Sequence, residues 1–260
     1  MSVAVRWTVG DVSSRGFETL ALSISGARNV FGPSARYIVC VNTIGIAAAK
    51  SRVGEVAEAV EWMDTTSALP DWLLPWLNTN LADGVAWKFA GMQVCSDRPT
   101  LSLDNDVILW RMPPSVREWL KDADSFLIAE DVLACHGNFS SLCPGEPRNS
   151  GIVGIPPHFD LESAIRSLLC ANGVRLSAET DEQGLQVALV TSRKHRVVRV
   201  HEVSVSGYFR PHMLEVGSCG AHFVGVNVKD YPLAHGFWDD WKLRIAERVA
   251  GIGLELPLAG

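Results

Sequence analysis

"PTLSLDNDVILW", residues 99–110, runs apolar, breaks at Asp104-Asn105-Asp106 and turns apolar again. The flanks predict a buried strand over 100–109, because a strand covered on both faces reads as a continuous hydrophobic run. Alternate residues of a strand share a face, so Asp104 and Asp106 would present two carboxylates on one side. Two like charges beside a low-dielectric core repel each other. A proton on one of them relieves this, or a divalent cation between them, and hard oxygen ligands suit Mg²⁺ or Mn²⁺. The plainer alternative is that Asp104 caps a turn and Asp106 is its solvated neighbour.

Working outward, "VAVRWTV" (3–9) alternates like a strand, "GFETLALSISGARNVFG" (16–32) has helical spacing, and "ARYIVCVN" (35–42) is a continuous apolar run. Strand, helix and strand in that order predict a βαβ unit. Residues 51–63 mix strand and helix signals, and 81–95 read as a helix. Further helices are expected over 114–123, 160–173, 181–192 and 237–251. Further strands are expected over 125–132 and 149–155, 195–209 carries β-branched alternation, and 221–227 is short and glycine-bearing. The expected fold class is α/β, with a mostly parallel central sheet flanked by helices. The longest loops are expected at 64–80 and 136–148. The first contains "LPDWLLPWL" (69–77), read as a hydrophobic loop packed on the core, with a substrate lid or membrane-contacting edge as alternatives.

The totals exclude several classes. With 260 residues and 47% hydrophobic content the chain can build one sizeable core. A net charge of −6, with no basic run longer than "SRKHR" (192–196), excludes a nucleic-acid-wrapping surface and leaves room for one local phosphate pocket. The six cysteines are scattered without a CxxC pair, which predicts reduced core thiols in a cytoplasmic protein and no zinc site. The amino terminus does not read as a signal peptide, and no apolar run reaches the roughly 18–20 residues of a membrane span. Contact with a membrane would be from the side.

Four segments, "LSLDNDVIL" (101–109), "NSGIVGIPPHFD" (149–160), "DEQGLQVAL" (181–189) and "HFVGVNVK" (222–229), follow one another in an order that resembles the nucleotide-diphospho-sugar transferases of the GT-A fold. The resemblance extends more loosely to the retaining glycogenin-like and lipopolysaccharide galactosyltransferase-like group. That group shows a DxD strand, an Asn-Ser-Gly strand, an acidic-Gln helix start and HxxGxxK. Here Lys229 stands one residue late, with Asn227 intervening, and no Asn follows Asp181-Glu182-Gln183 at the usual distance.

The resemblance implies a single domain over 1–260, with a nucleotide-binding half (1–110) and an acceptor and sugar half (111–260). It implies a metal-dependent glycosyltransferase using a nucleotide-sugar donor, a UDP-sugar, and an unspecified glycan or small-molecule acceptor. Asp104, Asp106 and His222 would hold Mn²⁺ or Mg²⁺, with His222 as a core histidine the alternative. Asn105, Gly225, Lys229 and Lys88 would meet the diphosphate, although a Lys among apolar residues also snorkels. Thr8, Val9, Gly10 and Asn42, at the ends of the first two strands, would take the base and ribose. Asn149, Asp181, Glu182 and Gln183 would face the transferred sugar, against the plainer reading that acids favour a helix N-terminus. The expected outcome is retention, with Glu130 or Asp131 as the base of an inverting alternative. A nucleotidyltransferase is a rival, weakened because "TVGDVSSRGFE" (8–18) has only Arg15 and two separated glycines. A non-catalytic binder of the same fold is the other rival.

Overall fold

The computed structural model describes residues 2–77, 86–90 and 94–251. β1 (Ala4–Val9) and β2 (Arg36–Val41) are almost wholly buried and pair in parallel, from Ala4 opposite Arg36 to Val9 opposite Val41. The crossover between them is α1 (Ser14–Phe31). Ser13 caps it by accepting from Gly16 N at 3.0 Å, and Gly32 closes it with φ at 72°. This is the βαβ unit that the periodicity predicts. α2 (Ile46–Val53) ends at Gly54, and a 3-10 turn then leads to the short strand β3 (Glu61–Asp64). The mixed signal over 51–63 is therefore the tail of a helix running into a strand.

The stretch expected as one strand over 100–109 is two, β4 (Thr100–Asp104) and β5 (Val107–Leu109). Asn105 and Asp106 form the turn between them. Short polar side chains that bond to nearby backbone favour turns, and this local preference overrides the apolar pattern on either side. The remaining elements are α3 (Pro114–Trp119), β6 (Phe126–Glu130), β7 (Arg148–Ile155), α4 (Leu161–Asn172), α5 (Glu179–Thr191), β8 (His195–Val198), β9 (Val203–Ser206), β10 (Gly220–Phe223) and α6 (Pro232–Val249). The β-rich run at 195–209 is likewise divided, between β8 and β9. The helix expected over 81–95 lies partly outside the described residues; within them, Ala86–Phe89 is a single 3-10 turn.

Among the described residues the strands form two sheets. Seven strands lie in the order β3-β2-β1-β4-β7-β6-β8, and three in the order β5-β10-β9. The larger sheet is parallel except for β7, which runs against both β4 and β6. α1 locks the two sheets together. A Cβ added to Gly26 would meet the Leu109 carbonyl oxygen at 2.0 Å, so helix backbone rests directly on β5. Trp7 Nε1 donates to Ser23 Oγ at 2.8 Å, and Ser23 Oγ donates to the Val107 carbonyl at 2.5 Å. Within the Trp-rich segment, Leu73 is fully buried and Trp72 and Trp76 pack against the α4–α5 core, as a core-packed loop should; residues 78–80 lie outside the described residues.

Candidate functional site

The Asn105-Asp106 turn sits at the carboxyl end of β4, on the seam between the two sheets. Asp104 is the last residue of β4 and Asp106 lies in the turn itself. His222 comes from β10, where it pairs with Val107. One potential ligand atom from each of the three residues lies within 4.8 Å of the others. His222 Nε2 is 3.2 Å from Asp106 Oδ1 and 4.0 Å from Asp104 Oδ2. The carboxylates therefore converge through a turn and not, as the pattern suggests, through strand alternation.

Asp106 and His222 are 4% and 9% exposed, yet Asp106 Oδ1 is buried without a hydrogen-bond partner. An orphaned buried oxygen is costly unless something else satisfies it. Two carboxylates and one imidazole fit a divalent cation of the Mn²⁺ or Mg²⁺ kind. Burial alone would lower the His222 pKa, but Asp106 and then Asp104 outweigh it and hold it above its ordinary value. Gly151 makes room for the ring: a Cβ there would lie 2.7 Å from His222 Cε1.

Asn227 braces this centre. Its Nδ2 donates to Asp106 Oδ2 at 3.0 Å and to Asn105 Oδ1 at 3.1 Å, and its Oδ1 accepts from Asn105 Nδ2 at 2.6 Å. Its carbonyl accepts from Ser13 N at 3.0 Å, tying the centre to the start of α1. The sequence reading gave Asn227 no role. Asn105, 5% exposed, faces inward and also donates to the Gly16 carbonyl at 3.1 Å.

Lys88 reaches the centre. Its Nζ lies 2.8 Å from Asp104 Oδ1 and 3.3 Å from Glu182 Oε2. Burial works against its charge, but the two carboxylates outweigh burial and hold its pKa above the ordinary value. Glu182 is less well compensated, because Asp104 is the nearer partner. Burial, opposed by Lys88 and reinforced by Asp104, pushes Glu182 up to about 7. Its Oε1 accepts from Gln186 Nε2.

Beneath Lys88 lies Arg6, 3% exposed and overlooked by the sequence reading. It donates to the Lys88 carbonyl at 2.9 Å, the Ala90 carbonyl at 3.0 Å and Thr8 Oγ1 at 2.5 Å. The available signal was an arginine inside an apolar strand, which must be satisfied internally.

The amides take fixed positions. Gln183 Oε1 accepts from Ser150 N at 3.2 Å, and its Nε2 donates to the Cys135 carbonyl at 2.9 Å. Asn149 Nδ2 donates to Asp131 Oδ2 at 3.0 Å. Asp181, 1% exposed, accepts from the backbone N–H groups of Asn138, Ser177 and Ala178 and from Asn138 Nδ2. Its geometry is that of a cap joining α5 to the segment at 137–138. Glu130 accepts from Val200 N at 3.0 Å and pairs with Arg199 at 3.3 Å.

At the ends of β1 and β2, Val9 is a core side chain at 2% exposure, so only its backbone can meet a ligand. A Cβ on Gly10 would lie 2.9 Å from Asn42 Oδ1, and Asn42 is itself buried. Gly225 has φ of 82°, and a Cβ there would meet the Tyr231 ring at 2.7 Å. Lys229 is exposed and pairs with Asp11 at 2.7 Å, as does Arg52. These three line a cavity of about 250 Å³ beside Ser13 and Ser14.

No protein-family model and no curated protein sequence matches the chain. Solved structures do. A galactosyltransferase, LgtC, in complex with donor and acceptor sugar analogues matches at a TM-score of 0.57 and 12% identity, over 98% of each chain. Mouse xyloside xylosyltransferase 1 matches at 0.58 and 11%, over 88% of this chain and 100% of that one. The glycosyltransferase GlyE of Streptococcus pneumoniae TIGR4 matches at 0.54 and 15%, over 96% of this chain and 64% of that one. These neighbours are GT-A glycosyltransferases, and this chain has their fold.

Proposed function

We propose that the chain is a metal-dependent glycosyltransferase that takes a sugar from a nucleoside-diphosphate donor, a UDP-sugar. The supporting observation is the Asp104, Asp106 and His222 cluster, with an Asp106 oxygen that has no hydrogen bond, beside the half-buried ammonium of Lys88. Mn²⁺ or Mg²⁺ bound there would supply Lewis acidity to a leaving diphosphate. Lys88 adds a fixed positive charge where negative charge builds, and Arg6 keeps it aimed. Asn227 orients Asp106. The Gln183 amide, pinned at both ends, presents a rigid dipole beside the Asn149 and Asp131 pair. Amides in these positions suit retention, and engagement of Glu130 by Arg199 and Val200 weakens it as a base. We read residues 1–110 as the nucleotide half and 111–260 as the half for sugar and acceptor, which is a glycan or small molecule.

The rival nucleotidyltransferase reading needs a free cation in the loop after β1, but Arg15 is paired with Asp239 at 2.6 Å. No helix among the described residues is long and apolar enough to cross a membrane. The six cysteines are free thiols, which suits the cytoplasmic location we propose. Calorimetry with UDP tests the reading. Binding should require Mn²⁺ and disappear with EDTA or in Asp106→Asn. Equal affinity in all three conditions removes the metal from the account.

A further inference from the structure

A second cavity, of about 480 Å³, lies between the segment 141–148, the C-terminal end of α5 and the start of β8. Its lining includes Ser141, Cys143, Arg148, Thr191, Ser192 and His195, and none of the Asp104, Asp106 and His222 cluster. Arg148 is the unusual member. It is 8% exposed, and among the described residues its guanidinium makes one hydrogen bond, from Nη1 to the Pro147 carbonyl at 2.8 Å. Its Nε is buried with no partner, and no carboxylate among the described residues pairs with it. A guanidinium cannot shed its proton in a protein, so among the described residues the charge stands without an ion-pair partner.

The surroundings do not neutralise it. Burial pushes the Cys143 thiol up to about 11, so it adds no thiolate. Glu146, the one acid in the lining, is exposed and makes no ion pair with Arg148. Thr191 Oγ1 donates to the Val187 carbonyl at 2.7 Å, and Ser192 Oγ to the Leu189 carbonyl at 3.0 Å. With their protons so used, both hydroxyls can accept from a ligand's hydroxyl groups, although Ser192 Oγ already accepts from Arg193 Nη1 at 2.9 Å and has one lone pair left.

The geometry points to a second ligand site here, which takes a small hydroxylated anion, its phosphate or carboxylate on Arg148 and its hydroxyls on Thr191 and Ser192. A charged group that completes an unpaired guanidinium by a forked contact gains both charge and geometry. Cys143 of its lining donates to the Gly184 carbonyl at 3.3 Å, next in sequence to Gln183. The inference stands apart from the sugar-transfer reading.

Calorimetry with glycerol 3-phosphate, glycerate and neutral glycerol tests it, on Asp106→Asn protein in EDTA so that the metal cluster is silent. One acid or both should bind with one-to-one stoichiometry while glycerol does not. The acid that binds identifies the phosphoryl or carboxyl source. Arg148→Met should weaken binding at least tenfold. Ser192→Phe, which fills the cavity from its exposed rim and leaves Arg148 in place, should do the same and decides the matter alone if the arginine variant does not fold. Failure of both acids to bind, equal binding in the folded variants, or binding only to metal-loaded protein with Asp106 intact overturns the site.

Discussion

Two buried aspartates of this chain have opposite chemistry. Asp181, at the start of α5, is 1% exposed and receives four hydrogen bonds. Asp106, at the turn between β4 and β5, is 4% exposed and leaves Oδ1 without a hydrogen bond, with His222 Nε2 at 3.2 Å. Burial alone does not separate them. Satisfaction does: one carboxylate is hydrogen-bonded on both oxygens, and the other keeps one oxygen without a hydrogen bond. On our reading the first belongs to stability and the second to binding.

The sharpest way to break this contrast is Asp106→Asn. Turnover with a UDP-sugar and Mn²⁺ should fall by roughly a thousandfold, about 4 kcal/mol of transition-state stabilisation, while the unfolding midpoint barely moves. Activity within tenfold of the parent would sink the metal assignment. Asp181→Ala should do the reverse. Losing a buried, fully bonded carboxylate should lower stability by about 3 kcal/mol in denaturant titration, with Mn²⁺ affinity of the folded fraction unchanged. A variant of normal stability but lost metal binding would move Asp181 into the site.

Asn227→Ala probes the brace. Metal affinity should drop about 10–100-fold, as happens when a group orienting a ligand is removed. An unchanged affinity would reduce Asn227 to a link with α1. The smallest effect concerns Glu182, the acid between these extremes. Its folded-state pKa of about 7 lies above the ordinary 4.5, so between these values the folded state holds more proton than the unfolded chain. Stability from this group should therefore be full below about pH 4.5 and decline as pH rises toward 7. Glu182→Gln should flatten that slope, and a slope unaltered by the change would assign it elsewhere.

How much of this was legible follows the same division. The apolar runs of 3–9 and 35–42 and the helical period of 16–32 announce the βαβ unit, because both faces of those strands are covered. Asp104, Asp106 and His222 were legible as residue types in a fixed order. The bend that brings them together was not, because Asn105 and Asp106 interrupt a pattern that reads equally well as one strand. Asn227 was hidden because its role is a set of contacts with residues 121 and 122 positions away. Arg6 was hidden within an apolar strand, although a charge at that place demands carbonyl partners. Arg148 shows the limit from the other side: the sequence gives no sign that its charge lacks a partner.

The seam at Asn105 also has a consequence in time. Asp106 and Asn227 are 121 residues apart in the chain, and His222 joins them only when β10 has paired with β5. A folding intermediate with the large sheet formed and the small one still open has two carboxylates and no third ligand. Closing a loop of that length is a late and slow event. Metal capture would then act as a clock for the last docking step. In stopped-flow refolding, acquisition of Mn²⁺ affinity should lag behind secondary structure, and it should mark the moment at which two sheets become one molecule.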